Sequence, residues 1–249
     1  MRKRSMTSSF VLVAVVVFSS VIFAQIEKKS EGVEPQAKTP IPDLSGVWLG
    51  PGPKGGYAFT DGTPPMQPWA EENFKANKYP GTAPNSRGRA ERDPALAYCF
   101  PPGPGWLSTI PIPFEIIQVP GRVIMYYQWD HWVRQIWMDG RGHPKDPDPT
   151  WMGHSIGSWD GDTLIVDTVG LNDKAWLDAA GHMRSDALRI VERLRRVDHA
   201  TLVDDVTIDD PKAYTKPWTG QRIFTLRPDW EITEQVGCED RLLHAAGAH

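Results

Sequence analysis

The chain reads as an all-β protein, an antiparallel up-and-down barrel with an irregular N-terminal extension and one short helix. Two observations predict this. From Phe114 to about residue 240, β-branched and aromatic runs follow one another closely, each ended by a turn signal such as Pro120-Gly121 or Asp160-Gly161. Several of these runs also form strand–turn–strand units, and about eight to ten sequential strands most simply curl into a ring, which leaves no exposed edge. A two-sheet β-sandwich is the alternative.

The elements follow in order. MRKR and the apolar run Phe10 to Ala24 have the layout of a secretory signal peptide covering residues 1–24, cut at Ala24-Gln25. The run is shorter than the roughly 20 residues a membrane span needs, so no stable span remains after cleavage; an uncleaved anchor is the competing reading. Residues 25–42 are polar and proline-punctuated, a flexible linker. The rest, 43–249, is one β-rich domain, irregular and disulfide-tethered over 43–113 and a barrel meander over 114–240. LSGVW is a first short strand, and MQPWAEENFKAN a short helix carrying Trp69 and Phe74. FEIIQV and RVIMYYQW form a hairpin, and WVRQIWM continues it after a bend at Asp130-His131. SIGSW and TLIVDTV form the next hairpin. ALRIVERLRRV also fits a helical period, but the DHA turn and the extended TLVDDVTI beside it favour a second hairpin. RIFTL and WEITEQV suggest a third.

Charge and cysteines narrow the setting. Net charge is −4, and −7 once Arg2, Lys3 and Arg4 leave with the signal. An acidic surface repels phosphate backbones, so nucleic acid is not an expected partner. Cys99 and Cys238 are the only cysteines. In an exported chain two such residues pair, closing a loop of about 140 residues worth several kcal/mol in the chain-entropy model; two free thiols are the other possibility. The location read from this is periplasmic or secreted. Nothing in the sequence sets an oligomeric state.

The run HPKDPDPTWMGHSIGSWDGDTLIVDTVGLNDKAWLD, together with CFPPGPG, ERLRR and TIDDPKAYTKPWT, resembles the signature blocks of a large family of uncharacterised exported bacterial β-rich proteins. The likeness spans nearly all of residues 43–240. It implies a shared fold and export, and it carries over no activity and no catalytic residue. LSGVW is similar to the Gly-x-Trp opening of lipocalin-type (calycin) barrels, which adds to the barrel reading.

The chemistry-bearing residues concentrate around residues 130–182. His131 and His154 are the acid–base candidates, because a histidine oriented by a carboxylate moves protons near neutral pH. Asp130, Asp139, Asp146 and Asp148 are the carboxylates within reach. Asp167 lies on the strand face opposite Leu164, Val166 and Thr168, buried if that face is the lumen and ordinary surface if it is not. Asp173, Lys174, Asp178 and His182 form a second polar group, while Asp160, Asp162 and Asp210 read as turn caps. No spacing forces three histidines together, so no metal site is expected. GHSIG matches GxSxG around Ser155, but a proline-rich loop enters it and a strand leaves, the reverse of a nucleophile elbow.

Tryptophan is the compositional anomaly: eleven, against eight phenylalanines and six tyrosines, six of them between residues 129 and 176. Indoles suit the stacking of sugars or aromatic rings, and they equally suit the filling of a wide core. The expected ligand-binding set is Trp132, Arg134, Trp151, Trp159, Asp167 and His182, with Arg134 holding an anionic group. No organic cofactor is indicated. The reading is therefore an exported barrel that binds a small organic or carbohydrate ligand, with lyase, isomerase or hydrolase proton-transfer chemistry. A non-catalytic protein–protein interaction domain of the cell envelope is the alternative.

Overall fold

In a computed structural model of the protein, residues 42–50, 57–59, 62–77, 92–235 and 238 are described. The segment read as a signal peptide and nearly all of the one read as a linker lie outside them. Among the described residues there are ten strands: β1 Gly46–Leu49, β2 Ala58–Phe59, β3 Pro113–Val119, β4 Arg122–Tyr127, β5 Val133–Trp137, β6 His154–Asp160, β7 Thr163–Val169, β8 Arg189–Arg196, β9 Thr201–Asp209 and β10 Trp218–Leu226. The helices are short: α1 Pro68–Asn77, α2 Pro94–Ala97 and α3 Pro104–Leu107. Nine strands close a barrel in the order β1, β3 to β10, with β10 returning to β1, and β2 pairs with the opposite half of β10's free edge.

Alternation builds the wall. Along β9, Leu202, Asp204, Val206 and Ile208 are buried while the residues between them are half-exposed, the period of two that points alternate side chains into the lumen. The segment 189–196 is extended and pairs with β7 and β9 along its length. Its helical period is overruled because Ile190, Glu192 and Leu194 must share the inner face.

The barrel is not wholly antiparallel. A closed ring of nine strands cannot alternate direction throughout, and the mismatch falls at β5 and β6, which run parallel through Ile136 opposite Ser155 and Trp137 opposite Ile156. Parallel neighbours need a connection of a dozen or more residues. Residues 138–153 supply it, running from one barrel end to the other. The proline-rich stretch that looked like a plain loop into a strand is the crossover that closes the ring. The close fit of β6 against β5 depends on Gly157, where a Cβ would come within 2.5 Å of Met138 Sδ and 2.8 Å of Ile136 Cγ2. A further departure lies after β10: residues 230–235 of WEITEQV form no strand, so the third hairpin is absent. Its would-be partner position beside β10 is taken by β1 and β2.

The two barrel ends differ. At one, β3–β4, β6–β7 and β8–β9 are joined by tight turns. At the other lie the connections 128–132, 170–188 and 210–217 and the described residues 92–112 that lead into β3. Residues 102–110 are buried throughout and stop the loop-bearing end. Trp106 and Leu107 join the core of Phe114, Met125, Tyr127 and Ile136, and the Ser108 carbonyl accepts from the inward-facing Arg222 at 3.0 Å. Helix α1 packs at the same end through Ala70, beside Leu171, Leu177, Tyr214 and Trp218. A disulfide joins Cys99 to Cys238, with Cα atoms 5.6 Å apart. Among the described residues no helix is long and apolar enough to cross a membrane.

Candidate functional site

The lumen is filled by side chains, and its centre is polar. Arg134 projects inward from β5 and is 1 % exposed. Its Nη1 and Nη2 donate to the two Glu192 carboxylate oxygens, Nη2 also reaches Thr168 Oγ1 at 2.8 Å, and Nε reaches Ser155 Oγ at 3.2 Å. Arg134 thus does hold an anion, but one from its own chain. Ser155 lies mid-network on a strand, with Oγ 2.8 Å from Thr168 Oγ1, so it is no exposed nucleophile. Asp204, on the strand next to Glu192, is 1 % exposed, and its Oδ1 has no hydrogen-bond partner among the described residues. Burial, reinforced by the Glu192 charge, pushes its carboxyl well above the usual range. Arg134 is bonded to Glu192 and not to Asp204, and burial favours the protonated form of Asp204.

The expected tryptophans do not meet in a common hollow. Trp132 precedes β5 at the loop-bearing end and Trp159 ends β6 near the opposite one; both are half-buried against the core. Trp151 instead lies at the rim, its ring 5.0 Å from Phe100, which is 5.6 Å from Tyr98. Tyr98 and Phe100 are exposed and flank Cys99, so the disulfide anchors the row. His182 is a packing residue: it is 2 % exposed, stacks on Phe74 of α1 at 4.1 Å and bonds Asp178 at 2.8 Å. Burial works against the Asp178 carboxylate, yet His182 and two backbone N–H groups hold it below its ordinary value.

His131 and His154 are separated. His131 stands in the β4–β5 turn with φ of 54°, against Tyr126 and the Thr233 carbonyl. His154 points outward at the start of β6, and its neighbour is His143 of the crossover. The two Nδ1 atoms are 3.0 Å apart with ring centroids 5.2 Å apart. The nitrogens therefore lie almost on the line between the rings, the arrangement of an N–H···N bond. Two ligands converging on one cation would open into a V. Among the described residues no group of three or more His, Cys, Asp or Glu side chains could hold a metal ion.

Asp167 completes the chain. It faces outward from β7, so the lumen alternative for it is wrong. His143 Nε2 lies 3.6 Å from Asp167 Oδ2, and Arg189 on β8 donates Nε and Nη2 to its two oxygens at 2.9 and 2.6 Å. The Arg189 bonds hold the Asp167 carboxyl below its ordinary range. At 3.6 Å the His143–Asp167 approach is an electrostatic contact and not a hydrogen bond. Of the two facing Nδ1 atoms one donates and the other accepts, and either histidine can be the donor. Burial, then the neighbouring His143 and Arg141 charges, lowers the His154 pKa, which favours the neutral imidazole.

The sequence singled out His154 and Asp167, but Arg189 and Glu192 carried no signal in it. Arg189 reaches Asp167 diagonally across a strand pair, a relation that exists only once register is set. No protein-family model and no curated protein matches the chain, so its activity is read from this geometry.

Proposed function

We propose that this is an exported barrel protein that binds a small organic or carbohydrate ligand at its loop-bearing end and moves a proton through His154. The observation that carries this reading is the 3.0 Å Nδ1–Nδ1 hydrogen bond between His154 and His143, with Asp167, held by Arg189, 3.6 Å from the far nitrogen of His143. A base whose far nitrogen is tied to an oriented partner is the working half of an acid–base site. Lyase, isomerase and hydrolase steps all begin with such a transfer. The rim row of Trp151, Phe100 and Tyr98 supplies flat apolar faces three residues from His154. Export and kinship with the family whose signature blocks the chain resembles belong to the same reading, and the Cys99–Cys238 disulfide supports an oxidising compartment.

The test is a ligand panel of neutral sugars, sugar acids and phenolic esters, followed by intrinsic fluorescence and by turnover. A binder should lose affinity in Trp151→Ala. His154→Gln, which cannot accept the proton, should keep binding and lose turnover. A ligand turned over equally well by His154→Gln would remove the acid–base assignment.

A further inference from the structure

A groove of about 410 Å³ opens at the loop-bearing end between α1, the 172–186 connection and the segment before β10; its walls include Trp69, Asp173, Met183, Arg184, Asp186 and Lys212. Its size lies within the range of small-ligand sites, roughly 300–1,000 Å³. We propose that this groove is a binding subsite for a neutral saccharide ring, which deepens the reading above by naming the ligand class and rests on the ligand-binding half of it.

Three features favour a sugar. Trp69 is 40 % exposed, and its Nε1 donates to the Lys212 carbonyl at 2.7 Å. The indole is thereby held in one orientation, a stacking plate that loses little freedom on binding. Met183 adds a soft apolar contact for C–H faces. Across from these, Asp186 Oδ1 and Lys212 Nζ stand 2.5 Å apart, both exposed. A carboxylate beside an ammonium offers an acceptor and a donor together, the complement of two adjacent hydroxyls.

Charge argues against an anionic ligand. Arg184 forms a buried part of the wall, yet its guanidinium is committed to the Asn172 carbonyl, Asn172 Oδ1 and the Pro102 carbonyl. Burial lowers its pKa to about 10, so it remains charged at neutral pH. Asp173, Asp186 and the buried Asp210 surround it and Lys212. An incoming carboxylate would meet as much negative charge as positive. Arg184 also ties the groove to the rim: at Gly103, with φ of 86°, a Cβ would collide with Arg184 Nη1 and the Trp151 carbonyl.

The test is calorimetric titration of the exported chain with neutral xylo-, manno- and gluco-trisaccharides and, as an acidic control, trigalacturonate. At least one neutral trisaccharide should bind saturably, the acidic control more weakly. Trp69→Ala should weaken that binding at least tenfold, and so should Asp186→Ala, an exposed change that leaves the fold intact by circular dichroism. His154→Gln should leave it unchanged. Absence of saturable binding by all three neutral sugars would overturn the proposal, as would binding that survives both Trp69→Ala and Asp186→Ala. If binding instead falls in Trp151→Ala alone, the groove assignment fails while ligand binding at the rim stands.

Discussion

Arg134, Glu192 and Asp204 show how one residue's ionisation depends on its neighbours. Breaking a buried ion pair by removing one partner strands the other charge and costs about 3–5 kcal/mol. Glu192→Gln should therefore lower stability by about that much, read as a shift in the urea midpoint. Arg134→Met together with Glu192→Leu should be closer to neutral, because no charge is left unpaired. Asp204 behaves in the opposite sense. Its carboxyl is raised above its unfolded value by burial and then by Glu192, so the fold holds this proton more tightly than the unfolded chain does. The stability it contributes is present below the unfolded pKa of about 3.9 and is lost as pH climbs towards the folded value. Asp204→Asn keeps the group neutral at every pH. It should melt higher than the parent at pH 7–8 and at about the same temperature near pH 3; a parent that melts higher at neutral pH would mean Asp204 is charged there. His154 has the reverse sign. Its lowered pKa means that acidification through the ordinary imidazole range, about 6.5, loosens the crossover from the wall, and His143→Asn should flatten that dependence in pH-resolved melts.

Among the elements, the crossover 138–153 best separates what the sequence could show from what it could not. Period-two alternation, β-branched runs and Asp-Gly turns are local signals, and they located nearly every strand from β3 to β10. Strand direction is not local. That β5 and β6 run parallel follows from the ring having nine members, and that number depends on β1 closing against β10 about 180 residues away, a long-range pairing for which no short pattern exists. The failed third hairpin has the same origin, since WEITEQV has strand composition but β10's free edge was already occupied. The candidate site divides likewise. His154 and Asp167 stood out by residue type, whereas their joining through His143 and Arg189 required the crossover's path and the β7–β8 register. Gly157 tests this account of the element. Gly157→Ala pushes a methyl into Met138 and Ile136, and overpacking of this kind costs about 1–3 kcal/mol. Amide exchange should accelerate selectively across β5, β6 and residues 138–153, because the parallel pair holds through only two registered positions.

At the scale of the whole molecule, the Cys99–Cys238 link spans 139 residues and closes nearly the entire barrel into one loop. In the chain-entropy model a loop of that length restricts the unfolded chain by about 4–5 kcal/mol, a large share of the roughly 5–15 kcal/mol that holds a typical domain folded. The link also sits between Tyr98 and Phe100, so one covalent bond serves global stability and the posture of the aromatic rim together. The paired Cys99→Ser, Cys238→Ser variant separates these roles. If chain entropy dominates, the urea midpoint falls by the amount that 4–5 kcal/mol implies, the slope rises as the unfolded state expands, and a reductant leaves the variant unaffected while bringing the parent to the same curve. If the midpoint barely moves and ligand affinity at Trp151 alone declines, the bond's contribution is local, and the filled lumen with its Arg134–Glu192 pair is what keeps the barrel closed. The proposed export would let the chain rely on the covalent device, and this predicts that residues 25–249 fold poorly when made in a reducing cytoplasm.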